Sequence, residues 1–249
     1  MIRRLIKRVV VTGVGTRPAL GVVEAFKRRG WLVVGVDSNF HPQFVNQFYL
    51  VSRGDHPNFV DDLVMLVRRE RTTLLVPTRD AECLAIARRS YELRRVGAAV
   101  FLPDPVTIED MADSRHMASV LRRAAVDVWD SSTDPGSDAQ GIQRFEVTVC
   151  RDGRTPYESF ACAVHAVELG ELSSSPRVER RKGESDVEEL AVRTAQALGF
   201  PGPSAVHVLR SPDGRLGVER VGLAPCENAP LTDDVLDAFL ASWERVQPP

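Results

Sequence analysis

Only four cysteines occur in the 249 residues, Cys83, Cys150, Cys162 and Cys226, and no two of them form a C-x-x-C pair. That scatter excludes a zinc knot or a disulfide framework and suits reduced thiols. No apolar run approaches the length of a membrane span, so no membrane partner is expected and a cytoplasmic location follows by default. An excess of charge of one sign is also missing: 32 Lys and Arg stand against 34 Asp and Glu, so no basic field calls for nucleic acid. The arginine runs alternate with acids and read as solvated helix faces and loops. The basic start MIRRLIKRVVVTG has too short an apolar run for a signal peptide and leads into a strand. No Ser-His-Asp, Cys-His or zinc-ligand constellation stands out. What remains, 43% apolar and 27% charged residues, is ordinary globular composition with length enough for one or two domains.

The stretch from Arg8 to Asp37 organises the chain. Val9, Val10 and Val11 predict a strand buried on both faces, and Ala19, Val22, Val23, Ala25 and Phe26 recur at helical spacing. A second apolar run ends on Asp37, which completes the opening of a parallel α/β sheet. Gly13 and Gly15 allow a tight turn whose amides could face an anion, with Thr16 and Arg17 beside them, and Asp37 stands where a Rossmann unit places a ribose-binding acid. Gly13, Gly15 and Gly21 depart from G-x-G-x-x-G, so a turn built only for packing is the competing reading.

Phe48–Val51 predicts a third strand, Asp55–Pro57 the start of a helix, and Leu74–Pro77 a fourth strand. Thr78, Arg79 and Asp80 lie at its carboxyl end, where open α/β sheets bind ligands; capping the next helix, Ala81–Arg95, is the other role open to Asp80. A strand at Ala98–Leu102, a turn at Pro103–Pro105 and a helix Ser114–Ala125 capped by Asp113 complete a doubly wound α/β domain over residues 1–126. Residues 127–143 are rich in Asp, Ser and Gly and read as a linker. Residues 144–249 predict a smaller α+β unit: strands Phe145–Cys150 and Ser159–Leu169, a helix Asp186–Leu198, a hairpin of Ala205–Leu209 with Leu216–Val221, and a helix Asp233–Val246.

In that order, VVVTGVGTRPALGVVEAFKRRGWLVVGVDSN, FYLVSRGDHPNFVDDL, LLVPTRDAECLAIA and ADSRHMASVLRRAAVDV resemble the pre-ATP-grasp domain of the ATP-grasp superfamily, particularly the carbamoyl-phosphate-synthase-like carboxylate–amine ligases. FEVTVCRDGR, Gly170-Glu171, VEELAVRTAQALGFPGP and AVHVLRSPDGRLGVERVG resemble the carboxyl-terminal lobe of the grasp. The resemblance implies ATP, Mg²⁺ and an acyl-phosphate intermediate, chemistry that depends on neutralising phosphate charge.

This chain departs from the family where that chemistry resides. The lid subdomain with its glycine-rich loop is replaced by the linker, and the basic residue after Asp113 is Ser114. Arg115 stands one position along, about 100° round the helix. The family's metal and phosphate motif maps onto His207, Glu219, Val221, Gly222 and Leu223, which leaves Glu219 and His207 as a poor Mg²⁺ pair, with a packed or edge role the alternative for His207. Glu227 and Asn228 follow as displaced candidates for the lost asparagine. Arg115 and Glu146 are the nucleotide contacts the resemblance leaves.

These losses point to a degenerate ligase-like protein. It would bind a small ligand through Gly13, Gly15, Thr16, Arg17, Asp37, Thr78, Arg79 and Asp80, or serve a homo-oligomer or a complete ATP-grasp partner. An active ligase using ATP and Mg²⁺ through an atypical or shared site is the alternative. A nicotinamide-dependent oxidoreductase is the third reading, without the Tyr-x-x-x-Lys or Cys/His pair its chemistry needs.

Overall fold

β-Branched residues make the first strand, β1 (Arg8–Thr12), in which Val9, Val10 and Val11 are fully buried. The computed structural model describes residues 7–42, 44–130, 141–154, 159–168, 176–225 and 227–246. Pro18 lies in the first turn of α1 (Arg17–Arg28), where its missing N–H costs no hydrogen bond. There follow β2 (Leu32–Asp37), β3 (Gln47–Leu50), α2 (Phe59–Glu70), β4 (Leu74–Val76), α3 (Asp80–Arg88), α4 (Ser90–Arg95), α5 (Pro105–Ala112) and α6 (Ser114–Arg123). The four strands are parallel in the order β3-β2-β1-β4. Strand order reverses beside β1, so a crevice opens beyond the carboxyl ends of β1 and β4.

Three expectations in this half need correction. The helix predicted over Ala81–Arg95 is two helices, because Arg89 leaves helical geometry (φ −117°, ψ 18°) while its guanidinium grips Asp61 and Glu92. The strand predicted at Ala98–Leu102 makes one parallel bridge, Ala99 to Leu74; Phe101 turns instead to meet Phe239 edge-on at 5.2 Å. The turn at Pro103–Pro105 leads directly into α5, which Asp104 caps by accepting hydrogen bonds from Val106 N–H and Thr107 N–H. Asp113 caps α6 as expected.

The second half contains β5 (Gln143–Arg151), β6 (Phe160–Glu168), β7 (Arg177–Arg181), α7 (Ser185–Ala197), β8 (Ser204–Arg210), β9 (Leu216–Gly222) and α8 (Asp233–Val246). Its strands form an antiparallel sheet ordered β7-β6-β5-β8-β9. Alternation along β5 separates the two faces. Val147 and Val149 pack with Val187, Leu190 and Ala191 of α7, whereas Cys150 joins Leu236, Phe239 and Trp243 of α8 on the other side.

Helix α8 joins the two sheets. Trp243 meets Trp31 edge-on at 5.0 Å and its indole N–H donates to Thr73 O at 3.1 Å, so one apolar core runs from β1 and α1 through α8 to β5 and β6. Cys83, Cys150 and Cys162 are free thiols. Among the described residues no helix is long and apolar enough to cross a membrane. Met1 to Ile6 of the N-terminal lead-in, residues 131–140 of the linker, Gly170-Glu171 and Cys226 lie outside the described residues.

Candidate functional site

The crevice beyond β1, β2 and β4 brings together most of the first predicted set. Gly13 takes a left-handed φ of 63°, and its carbonyl accepts Thr16 N–H at 2.9 Å and Thr16 Oγ1 at 2.7 Å. Gly15 N–H donates to Asp37 Oδ2 at 2.9 Å. A Cβ on Gly15 would stand 2.3 Å from His41 Cδ2, so the imidazole lies against this glycine. The Gly15 amide is thus engaged inside the protein, a correction to the open anion cradle that the turn suggested. Arg17 is exposed at the start of α1.

Asp37 is 1% exposed and also accepts Asn39 N–H at 3.2 Å and Arg79 Nη2 at 2.8 Å. Burial pushes its carboxyl up, but the Gly15 and Asn39 amides and the Arg79 guanidinium outweigh that and hold it below the usual range. Arg79 continues to Glu82, with Nη1 3.5 Å from Oε1. Thr12 Oγ1 donates to the other Glu82 oxygen, and Thr78 Oγ1 donates to Thr12 O at 2.7 Å. Burial raises the Glu82 carboxyl above its ordinary range, only partly offset by Thr12 and Arg79. A cleft of about 460 Å³ opens here, lined by Ser38, Asn39, Arg53, Asp55, Arg79 and Glu82 among others. Arg53, Asp55 and Glu82 had no motif to reveal them; the only signal was that Glu82 lies one helical turn beyond Arg79.

Asp80 points away from this group. Its Oδ1 accepts Leu223 N–H at 2.9 Å and Ala224 N–H at 3.1 Å, which ties the start of α3 to the segment after β9. The residues Leu84, Ile108, Met111, Val221 and Leu223 line a second cavity, of about 440 Å³, beside it.

On the α8 side of the antiparallel sheet, strand register places Arg180, His165, Glu146, His207 and Arg220 in one row across all five strands. Glu146, expected beside a nucleotide, is fully buried. It accepts Glu227 N–H at 2.7 Å, Asn228 N–H at 2.9 Å, Ala229 N–H at 3.1 Å and Asn228 Nδ2 at 3.0 Å. Arg115 stands exposed on the first turn of α6. The two are not assembled into one nucleotide site by any contact among the described residues.

Glu227 binds Arg220 through both guanidinium nitrogens, one at 2.7 Å, and lies 3.4 Å from His207 Nε2. Burial raises its carboxyl, yet His207 and Arg220 prevail and bring it to about 2. The β8–β9 pairing shifts from His207–Arg220 to Val208–Val218, leaving Glu219 as the extra residue of a β-bulge. His207 therefore faces Arg220 and Glu227, and the metal pair it was to make with Glu219 gives way to an ion-pair row. No group of three His, Cys, Asp or Glu side chains among the described residues is placed to hold a metal ion.

No protein-family model matches the sequence, and no curated protein matches it. Solved structures do match its fold. N5-carboxyaminoimidazole synthetase from Staphylococcus aureus superposes with a TM-score of 0.68 over 97% of this chain and 78% of the other, at 11% identity. L-amino acid ligase from Bacillus licheniformis gives 0.61 over 87% of this chain and 66% of its own, at 12% identity. Against the multifunctional pyruvate carboxylase from Rhizobium etli the TM-score is 0.58 at 12% identity over 88% of this chain, which spans a quarter (25%) of that protein's length. A parallel four-stranded sheet followed by an antiparallel five-stranded one makes this chain similar in fold to these enzymes, consistent with an ATP-grasp fold.

Proposed function

We propose that this chain is an ATP-grasp-like binding protein that no longer carries out ATP-dependent ligation, built from a pre-ATP-grasp unit and a reduced carboxyl-terminal lobe. The observation that carries this reading is the surroundings of Val221 and Leu223. The resemblance implies a metal-binding asparagine and a phosphate-binding arginine at those positions, and here both side chains line an aliphatic cavity. A magnesium triphosphate brought there would lose hydration without gaining cations, a cost of several kcal/mol for each uncompensated ion. The residues present do not fit the nucleotide and metal that the fold family implies: Glu146 holds a loop, Glu227 is neutralised by Arg220 and lies against His207, and Glu219 sits in a bulge.

The polar cleft at Arg79 is the place for the ligand. Side chains of both signs, Arg53 and Arg79 with Asp55 and Glu82, surround hydrogen-bonding Ser38 and Asn39. That lining favours a small polar molecule over an apolar one. Isothermal titration with Mg·ATP, followed by phosphate release in the presence of amino acids, should give neither saturable heat nor phosphate. Turnover by the purified protein would overturn the reading. Native mass spectrometry of protein from its source should show a retained small molecule that Arg79→Gln releases.

A further inference from the structure

The second cavity has a chemistry of its own, and the inference drawn from it rests on the reading that no nucleotide occupies it. Its wall is aliphatic: Leu84 from α3, Ile108 and Met111 from α5, Val221 from β9 and Leu223 just beyond. About 440 Å³ is within the range of sites that enclose small molecules. Two acids border this apolar space, Asp80 and Glu109. Glu109 lies at an exposed position and is ion-paired with Arg88.

Asp80 is different. Two amide N–H groups, from Leu223 and Ala224, donate to its Oδ1 and hold the carboxylate at the rim. Among the described residues Asp80 makes no ion pair and its Oδ2 receives no hydrogen bond; the Arg220 guanidinium acts on it only from beyond ion-pair distance. The residue is nonetheless exposed. Although exposed, its carboxyl is crowded by enough protein that desolvation raises it above the ordinary range, with Glu227 adding to the effect and the two amides and the more distant Arg220 only partly offsetting it. A fixed, accessible anion at the edge of a hydrocarbon wall repels anions and leaves neutral hydrocarbons with nothing to pair against it.

We propose that this cavity binds a small organic monocation with an apolar body, an alkyl- or arylammonium, its ammonium paired with Oδ2 of Asp80 and its hydrocarbon lying against Leu84, Ile108, Met111, Val221 and Leu223. The charge decides orientation and the wall decides length. Each methylene taken from water adds about threefold to fourfold in affinity.

Titration calorimetry and ligand-observed NMR of the full chain with hexylammonium, butylammonium and hexanoate test this. Hexylammonium should bind saturably at one site, butylammonium roughly tenfold more weakly, and hexanoate not at all over the same range. Asp80→Asn keeps an oxygen for the Leu223 and Ala224 amides while removing the charge, and should weaken hexylammonium by about tenfold or more with little change in unfolding midpoint. Ala112→Trp, on the exposed side of α5 at the cavity, should abolish binding by filling the space. Equal binding of hexanoate, absence of chain-length dependence, no saturable binding of hexylammonium, or an affinity unmoved by Asp80→Asn would each overturn the proposal. Should Asp80→Asn fail to fold, the comparison of the three ligands on the unaltered chain still decides. Phosphate release from Mg·ATP is a separate readout: its appearance would overturn the loss of ligation, whereas failure of hexylammonium to bind with no phosphate released would overturn the ammonium site alone.

Discussion

Asn228 is fastened twice to Glu146, through its backbone N–H at 2.9 Å and its side-chain Nδ2 at 3.0 Å, both donating to Oε2. The segment after β9 is thereby anchored to the central strand of the antiparallel sheet. A carboxylate that the family resemblance leaves facing a nucleotide works here as a clamp.

Removing that clamp should be costly. Glu146→Ala leaves the amides of Glu227, Asn228 and Ala229 without their acceptor, and unpaired shielded donors cost about 1–3 kcal/mol each. The urea midpoint should fall by the equivalent of about 3 kcal/mol or more, with Glu146→Gln between it and the parent because one acceptor oxygen remains.

Acid should expose the Glu227 ion pairs. This carboxyl is held at about 2 against an ordinary 4.5, so the folded chain keeps it ionised where the unfolded chain takes up a proton. Its contribution is complete above pH 4.5 and fades as pH falls towards 2. Thermal unfolding from pH 7 to 2.5 should show Glu227→Gln less stable at neutral pH, with the difference from the parent shrinking across that window.

The Asp37–Arg79 pair makes a third case. Arg79→Leu strands a carboxylate whose side chain is 0% exposed but still holds the Gly15 and Asn39 amides, and losing the charged partner of this part-buried pair costs about 1–3 kcal/mol. Asp37→Asn in the Arg79→Leu background should recover part of the loss in guanidinium unfolding. Arg79→Lys should recover less than its charge suggests, because a single ammonium cannot reach both Asp37 and Glu82 in the fork geometry.

Helix α8 should prove sensitive on both sides. Trp243→Ala removes packing shared by the two sheets and should cost about 3–5 kcal/mol in chemical unfolding. Gly153→Ala should also destabilise, because the added Cβ would meet Ser242 N at 2.1 Å unless the backbone at Gly153 moves away from the helix.

Much of the structure that follows from neighbours within a turn or two was legible in the amino-acid order, although the short helix α5 with its Asp104 cap was not. Val9 to Val11, the Asp113 cap and α8 over Asp233–Val246 obey period and capping rules that need no distant partner. β7, RVERR, went unseen because it is an edge strand with no buried residue, so no apolar alternation marks it. The family resemblance came from the order of such local segments, and the fold agrees with it.

Side-chain duties were another matter. Glu146, His165 and His207 share a row only because three antiparallel strands pair in one register, and the bulge at Glu219 decides which residue of β9 meets His207. Asp80 meets a backbone 143 positions away. Strand and helix depend on interactions with near neighbours along the chain. Which charges are neutralised, and which cavity is apolar, depends on the register and packing of segments far apart, and that was settled only when the two sheets closed on α8.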